Sequence, residues 1–183
     1  RLPIDWEPEA YREKFKNYTE GPTRVCFNGI YGFGAQLMGV DRFNKMFYKD
    51  PDLVHEMANF WEDFVIESLE PFLDACGEYV DVTWWWEDMA EKNGPFVSPK
   101  LYEEFFVPHN KKVSSFLKDK GVDHVMVDSD GNLEPILDLM IESGIDGLWP
   151  LEVKAGMDAR KIREDYGEDL WLSGNLDKEI LAS

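Results

Sequence analysis

Apolar and polar positions along this chain switch repeatedly between helical and extended periods. From Asp50 onward, Leu53, Met57, Phe60, Trp61, Phe64, Val65, Leu69 and Phe72 recur every three or four residues, which predicts a long helix with one core-facing stripe. Pro51 suits its first turn, Pro71 should kink its last turns, and Gly77 should end it. Before it, Glu7 to Tyr18 reads as a charged helix, Gly21-Pro22 as a break and Thr23 to Phe27 as a short strand. Asn28 to Gly34 then reads as a glycine-rich loop and Asp41 to Tyr48 as a short helix. Past Gly77, Tyr79 to Trp85 has the β-branched and aromatic content of a buried strand. Ser98-Pro99 should cap a helix that reaches about Lys120, with Pro108 interrupting it. Strands then follow at His124 to Val127, Ile145 to Leu148 and Leu170 to Leu172, with helices at Leu133 to Ser143 and Asp158 to Tyr166.

Short, nearly continuous apolar strands alternating with helices predict an α/β fold with a parallel sheet covered by helices. Five strand–helix units can be counted in 183 residues, and no linker or internal repeat divides them. A complete (β/α)₈ TIM barrel takes about 250 residues, so the chain fits a truncated barrel; a doubly wound open sheet is the alternative. It opens on Arg1 without an initiator Met and stops just after a helix begins near Asp177, so both ends are expected to be cuts in a longer protein.

Composition narrows the function classes. Lys plus Arg number 19 against 37 Asp plus Glu, a net charge of −18, which repels nucleic-acid backbones and anionic membrane surfaces. Cys26 and Cys76 lack a CxxC spacing and imply no disulfide framework, so a reducing cytoplasm is expected. No apolar run approaches the roughly 20 residues that span a bilayer. The glycine-rich segment Asn28 to Gly34 matches neither GxGxxG nor GxxxxGK[ST], which argues against a nucleotide-phosphate cradle.

In a barrel the reacting groups sit at the C-terminal ends of strands, and those ends are acidic here. Glu87 and Asp88 follow Trp86, Asp128 and Asp130 follow Val127, Glu152 follows the strand at Leu148, and Asn175 follows Leu172. Carboxylates that face one pocket must be relieved by protonation, a basic partner or a bound cation. Trp84 to Trp86 should alternate faces, which offers an aromatic wall beside Glu87. His55, His109 and His124 lie at positions suited to packing rather than to catalysis.

Three stretches together resemble the uroporphyrinogen decarboxylase superfamily. They are Glu87 to Pro99 with Phe105 to Pro108, then Val125-Met-Val-Asp-Ser-Asp-Gly131 with Gly144-Ile-Asp-Gly147, and finally Ser173-Gly-Asn-Leu-Asp177. The resemblance implies one partial TIM-barrel domain over residues 1–183, with two units missing at the N-terminus and one at the C-terminus. It also implies an enzyme acting on a small-molecule substrate, with a homodimer reasonable. The superfamily offers cofactor-free decarboxylation of tetrapyrrole acetates, or methyl transfer between a corrinoid protein and a thiol with zinc. Where the methyltransferases carry His-x-Cys-Gly, this chain has Asp128-Ser129-Asp130-Gly131, so Asp128 and Asp130 match zinc-ligand positions but replace the soft ligands. An oxygen-ligated Mg or a carboxylate-rich Zn stays open, and with it the corrinoid reading. For decarboxylation, Asp88 matches the pocket serine and Tyr31 is the candidate pocket tyrosine. Asp88, Asp128 and Glu87 are then the catalytic candidates, and Tyr31, Trp86, Glu152 and Asn175 the substrate-binding ones. Uroporphyrinogen carries eight carboxylates, each repelled by an acidic mouth by about 1–4 kcal/mol per close pair, so a smaller organic substrate is expected. A barrel that binds ligand without chemistry is the remaining alternative.

Overall fold

The computed structural model describes residues 6–168 and 170–182. In chain order the elements are α1 (Pro8–Lys16), β1 (Arg24–Asn28), α2 (Ile30–Met38), α3 (Val40–Lys49), α4 (Pro51–Cys76), β2 (Val82–Trp86), β3 (Ala90–Glu91) and β4 (Gly94–Pro95). There follow α5 (Pro99–Phe105), α6 (Val107–Asp119), β5 (Met126–Asp128), α7 (Leu137–Glu142), β6 (Gly147–Leu151), α8 (Ala159–Tyr166), β7 (Trp171–Gly174) and α9 (Lys178–Leu181). Strands β1, β2, β5, β6 and β7 form one parallel sheet in that order, and β3 and β4 make a small antiparallel ribbon above it. The fold is therefore α/β with a mostly parallel sheet, as the strand–helix alternation predicts.

Strand parity sorts the sheet into two unlike faces. Val25, Trp85, Val127 and Leu148 belong to the hydrophobic core, and Trp61 of α4 packs on Trp85 with ring centroids 5.3 Å apart. Burial of these aromatic and aliphatic side chains is what draws the helices onto this face. The opposite face carries Arg24, Trp84, Met126 and Trp149, and the residues lining the cavity on it come from strands and loops rather than from a helix. Trp171 on the edge strand β7 stays 53% exposed. Register aligns Asn28 with Trp86, Trp86 with Asp128 and Asp128 with Trp149, so the strands end along one rim.

The glycine-rich segment corrects the sequence expectation, because residues 30–38 form helix α2 rather than a loop. Helical propensity loses to tertiary packing here. A Cβ at Gly32 would lie 2.7 Å from the Trp86 carbonyl oxygen, and one at Gly34 would lie 2.3 Å from the Phe43 ring. The glycines let this helix approach its neighbours, and buried contact offsets their intrinsic penalty of about 1 kcal/mol each. The expected helix from Leu133 to Ser143 begins instead as a 3₁₀ turn at Glu134–Ile136, ahead of α7 at Leu137–Glu142. Helix α4 continues through Pro71 to Cys76. The break before Pro108 appears as predicted, at Phe106 between α5 and α6.

Candidate functional site

The C-terminal ends of β2 and β5 are stitched into one junction. The Asp128 carbonyl accepts from the backbone N–H of Glu87 at 2.9 Å and of Asp88 at 3.3 Å, and Met89 N–H donates to the buried Ser129 hydroxyl at 3.0 Å. Asp88 takes a left-handed backbone conformation with φ 45°, which strains a non-glycine residue and fixes where its exposed carboxylate stands.

Asp128 is the chemically distinctive member. Its half-buried side chain lines a cavity of about 280 Å³ with Arg24, Val82, Trp84, Met126 and Trp149. The Trp84 and Trp149 rings meet at 4.1 Å between centroids, and the Arg24 guanidinium lies 4.3 Å above the Trp84 ring. Burial pushes the Asp128 carboxyl up to about 6, the Trp84 indole N–H opposes this, and the nearby charges of Asp130 and Asp88 add to it. Asp130 is likewise raised, by burial first and then by Glu152 and Asp88, while Lys178 pulls it down.

Glu152 and Asn175 shape a second, smaller hollow with Asp130 and Lys178. Glu152 accepts from Gly131 N–H at 3.1 Å. The Asn175 side chain accepts from Ala159 N–H at 3.2 Å and donates to the Leu151 and Met157 carbonyls, so its polar atoms are already committed to holding the β7 end. The structure thus gathers Asp88, Asp128, Asp130 and Glu152 into one electrostatically coupled rim.

Two of the predicted residues sit apart from that rim. Glu87 is 2% exposed on the helix-covered side of the sheet, where one oxygen accepts from Tyr31 N–H at 2.8 Å and Gly32 N–H at 3.3 Å. Its other oxygen accepts from the Trp85 indole at 3.2 Å. Burial pushes this carboxyl up to about 7 against the pull of those hydrogen bonds. Tyr31 is fully buried, with its hydroxyl donating to Asn44 at 2.8 Å and its ring stacked on Phe96. Burial also raises the Tyr31 hydroxyl well above the ordinary tyrosine range. Trp86 is half-buried, with its ring and carbonyl against Gly32.

Sequence reasoning missed Arg24, Trp149 and Ser129. The usable signal was parity, since Arg24, Trp84, Asp128 and Trp149 share one face once the strand registers are known. Among the described residues no group of three or more His, Cys, Asp or Glu side chains has the arrangement to hold a metal ion. The hard carboxylates at positions 128 and 130 do not suit a thiol-activating zinc site. Among the described residues no helix is long and apolar enough to cross a membrane.

A family model described as "Uroporphyrinogen decarboxylase (URO-D)" matches residues 20–183. The chain belongs to that family, whose superfamily consists of enzymes. Curated uroporphyrinogen decarboxylases from Prochlorococcus marinus strains NATL1A and NATL2A are each 22% identical over 139 residues, 74% of this chain and 36% of theirs. A solved methyltransferase from Methanosarcina mazei superposes with a TM-score of 0.66 at 25% identity, over 92% of this chain and 46% of its own. The chain therefore spans about a third of the length of those curated relatives and just under half of that methyltransferase.

Proposed function

We propose that the whole protein is an enzyme of this superfamily that acts on a small organic substrate at the C-terminal mouth of a (β/α)₈ barrel. In this reading the chain supplies five strand–helix units and Asp128 carries the proton that the reaction moves. The observation that carries it is the placement of Asp128: a half-buried carboxylate facing a cavity walled by Trp84 and Trp149, at a strand end where barrels keep their chemistry. A flat or compact substrate packs against the tryptophan pair, and the apolar walls keep water from a reacting carboxylate. Protonated Asp128 delivers a proton to the carbon that loses CO₂, and the bond electrons left on that carbon take it up. Asp88, Asp130 and Glu152 hold a negative rim that disfavours polyanions, so the substrate is smaller and less charged than uroporphyrinogen.

The test is CO₂ release by the whole protein from a panel of small carboxylates, with uroporphyrinogen included. Asp128→Asn should lower kcat about 10²- to 10⁴-fold; a variant that turns over at the wild-type rate sinks the assignment. The likeness to a methyltransferase over 92% of the chain favours a second reading, corrinoid-linked methyl transfer. Transfer from methylcobalamin to a thiol, measured beside metal analysis of the whole protein, separates it from the first. Asp128 and Asp130 would need a third ligand from outside the described residues to hold a divalent ion, and no step here passes through one.

A further inference from the structure

We infer that Glu87 is a positioning residue: a buried carboxylate that ties the first turn of α2 to the end of β2 and so sets Trp86 and Asp88 at the mouth. Four observations converge on it. Its two oxygens receive three N–H groups, from Tyr31 and Gly32 at the start of α2 and from Trp85 on its own strand. Helix α2 opens without a side-chain cap of its own, so Glu87 satisfies amides that the helix leaves free and places negative charge at its positive end. The contact is built to that shape, because a Cβ at Gly29 would lie 2.1 Å from the Glu87 carboxyl carbon. The same turn is tied from the backbone, where Gly29 N–H donates to the Trp86 carbonyl at 2.8 Å.

Glu87 is flanked by the two residues it positions. Trp86 lies over Gly32 of the clamped turn, and Asp88 takes up its left-handed conformation immediately beyond. Tyr31 of α2 and Tyr102 of α5 feel the Glu87 charge, and both are raised further by it. A carboxylate that is 2% exposed, enclosed by amides and an indole and not among the residues lining the cavity of Asp128, serves geometry rather than proton transfer.

The role of the mouth rests on the function proposed above, but the clamp does not, and the experiment separates them. In the whole protein, amide exchange of Tyr31 and Gly32 reads the clamp, and the fluorine resonance of 5-fluorotryptophan at Trp86 reads the mouth. Glu87→Gln puts an amide donor opposite either Trp85 or the α2 amides, and should speed exchange at residues 31 and 32 about tenfold and shift the Trp86 resonance. Gly29→Ala pushes a methyl group into the same carboxyl without changing any ionisable group, and should reproduce both signatures. Exchange unchanged in both variants overturns the clamp; faster exchange with an unmoved Trp86 resonance overturns the positioning role. On a substrate the protein turns over, kcat should fall about 100-fold with KM changed little, the pattern of misplaced groups rather than lost binding. A protein that turns over none of the tested substrates removes the proposed function and leaves the exchange and fluorine results to decide Glu87.

Discussion

Glu87 donates its backbone N–H to Asp128, yet the two side chains leave this shared junction on opposite sides of the sheet. One carboxylate enters a pocket of amide donors and the other an aromatic cavity, and desolvation raises both. Sign matters for stability: a carboxyl raised in the folded state favours folding most below its unfolded value, near 4, and that contribution is lost as pH climbs through the raised value. Between about pH 4 and pH 6, Asp128 therefore makes unfolding easier as pH rises, with its folded value at about 6. Urea denaturation of the whole protein at half-unit steps should show a shallower loss for Asp128→Asn across that window, and identical slopes would refute the shift. Elsewhere, Glu62 is buried on α4 between His109 at 2.7 Å and Lys112 at 2.9 Å, both on α6. Glu62→Ala leaves the buried His109 ring nitrogen without its partner, while the exposed Lys112 turns to water, and should cost about 1–3 kcal/mol in the same assay.

At the scale of elements, α2 shows how tertiary contact decides local structure. Ile30 to Met38 contains two glycines within five residues, a composition that reads as a loop, and the helix exists because Trp86 and Phe43 occupy the space that side chains would take. Gly34→Ala should destabilise by about 1–3 kcal/mol through overpacking against Phe43, even though alanine is the better helix former. A melting temperature that rises on this substitution would show that propensity rather than packing governs α2. By contrast, α8 was legible locally: Asp158 caps it by accepting from Arg160 N–H at 2.9 Å, and Ile162 is its buried anchor. Asp158→Ala should lower the melting temperature by removing this cap, measured by thermal unfolding.

At the scale of the whole molecule, the sheet has one face buried under helices and one that carries the cavity lined by Arg24, Trp84, Met126 and Trp149. Parallel sheets are normally covered on both faces, and the relatives extend well beyond the matched region. If the barrel proposed above is completed by further strand–helix units, the 183-residue chain expressed alone should bind a hydrophobic dye such as ANS and associate with rising concentration, whereas the whole protein should do neither. Equal dye binding by the two would mean that the tryptophan face stays open in the whole protein. Added salt should stabilise the chain by screening the self-repulsion of its −18 net charge, which denaturation at 20 and 200 mM NaCl would register.

The strand–helix rhythm, the long amphipathic α4, the break before Pro108 and the acidic strand ends were all determined by the sequence, because each rests on period, capping residues or position within a few neighbours. Tertiary structure alone decided which carboxylates meet. Glu87 and Asp88 are adjacent in the chain, but Glu87 keeps the helix-covered side that the parity of β2 gives it, whereas the left-handed backbone of Asp88 leaves its carboxylate exposed at the rim. Asp128 faces Trp84 and Trp149 only through the registers of β2, β5 and β6, and register is a property of paired strands that no single segment carries.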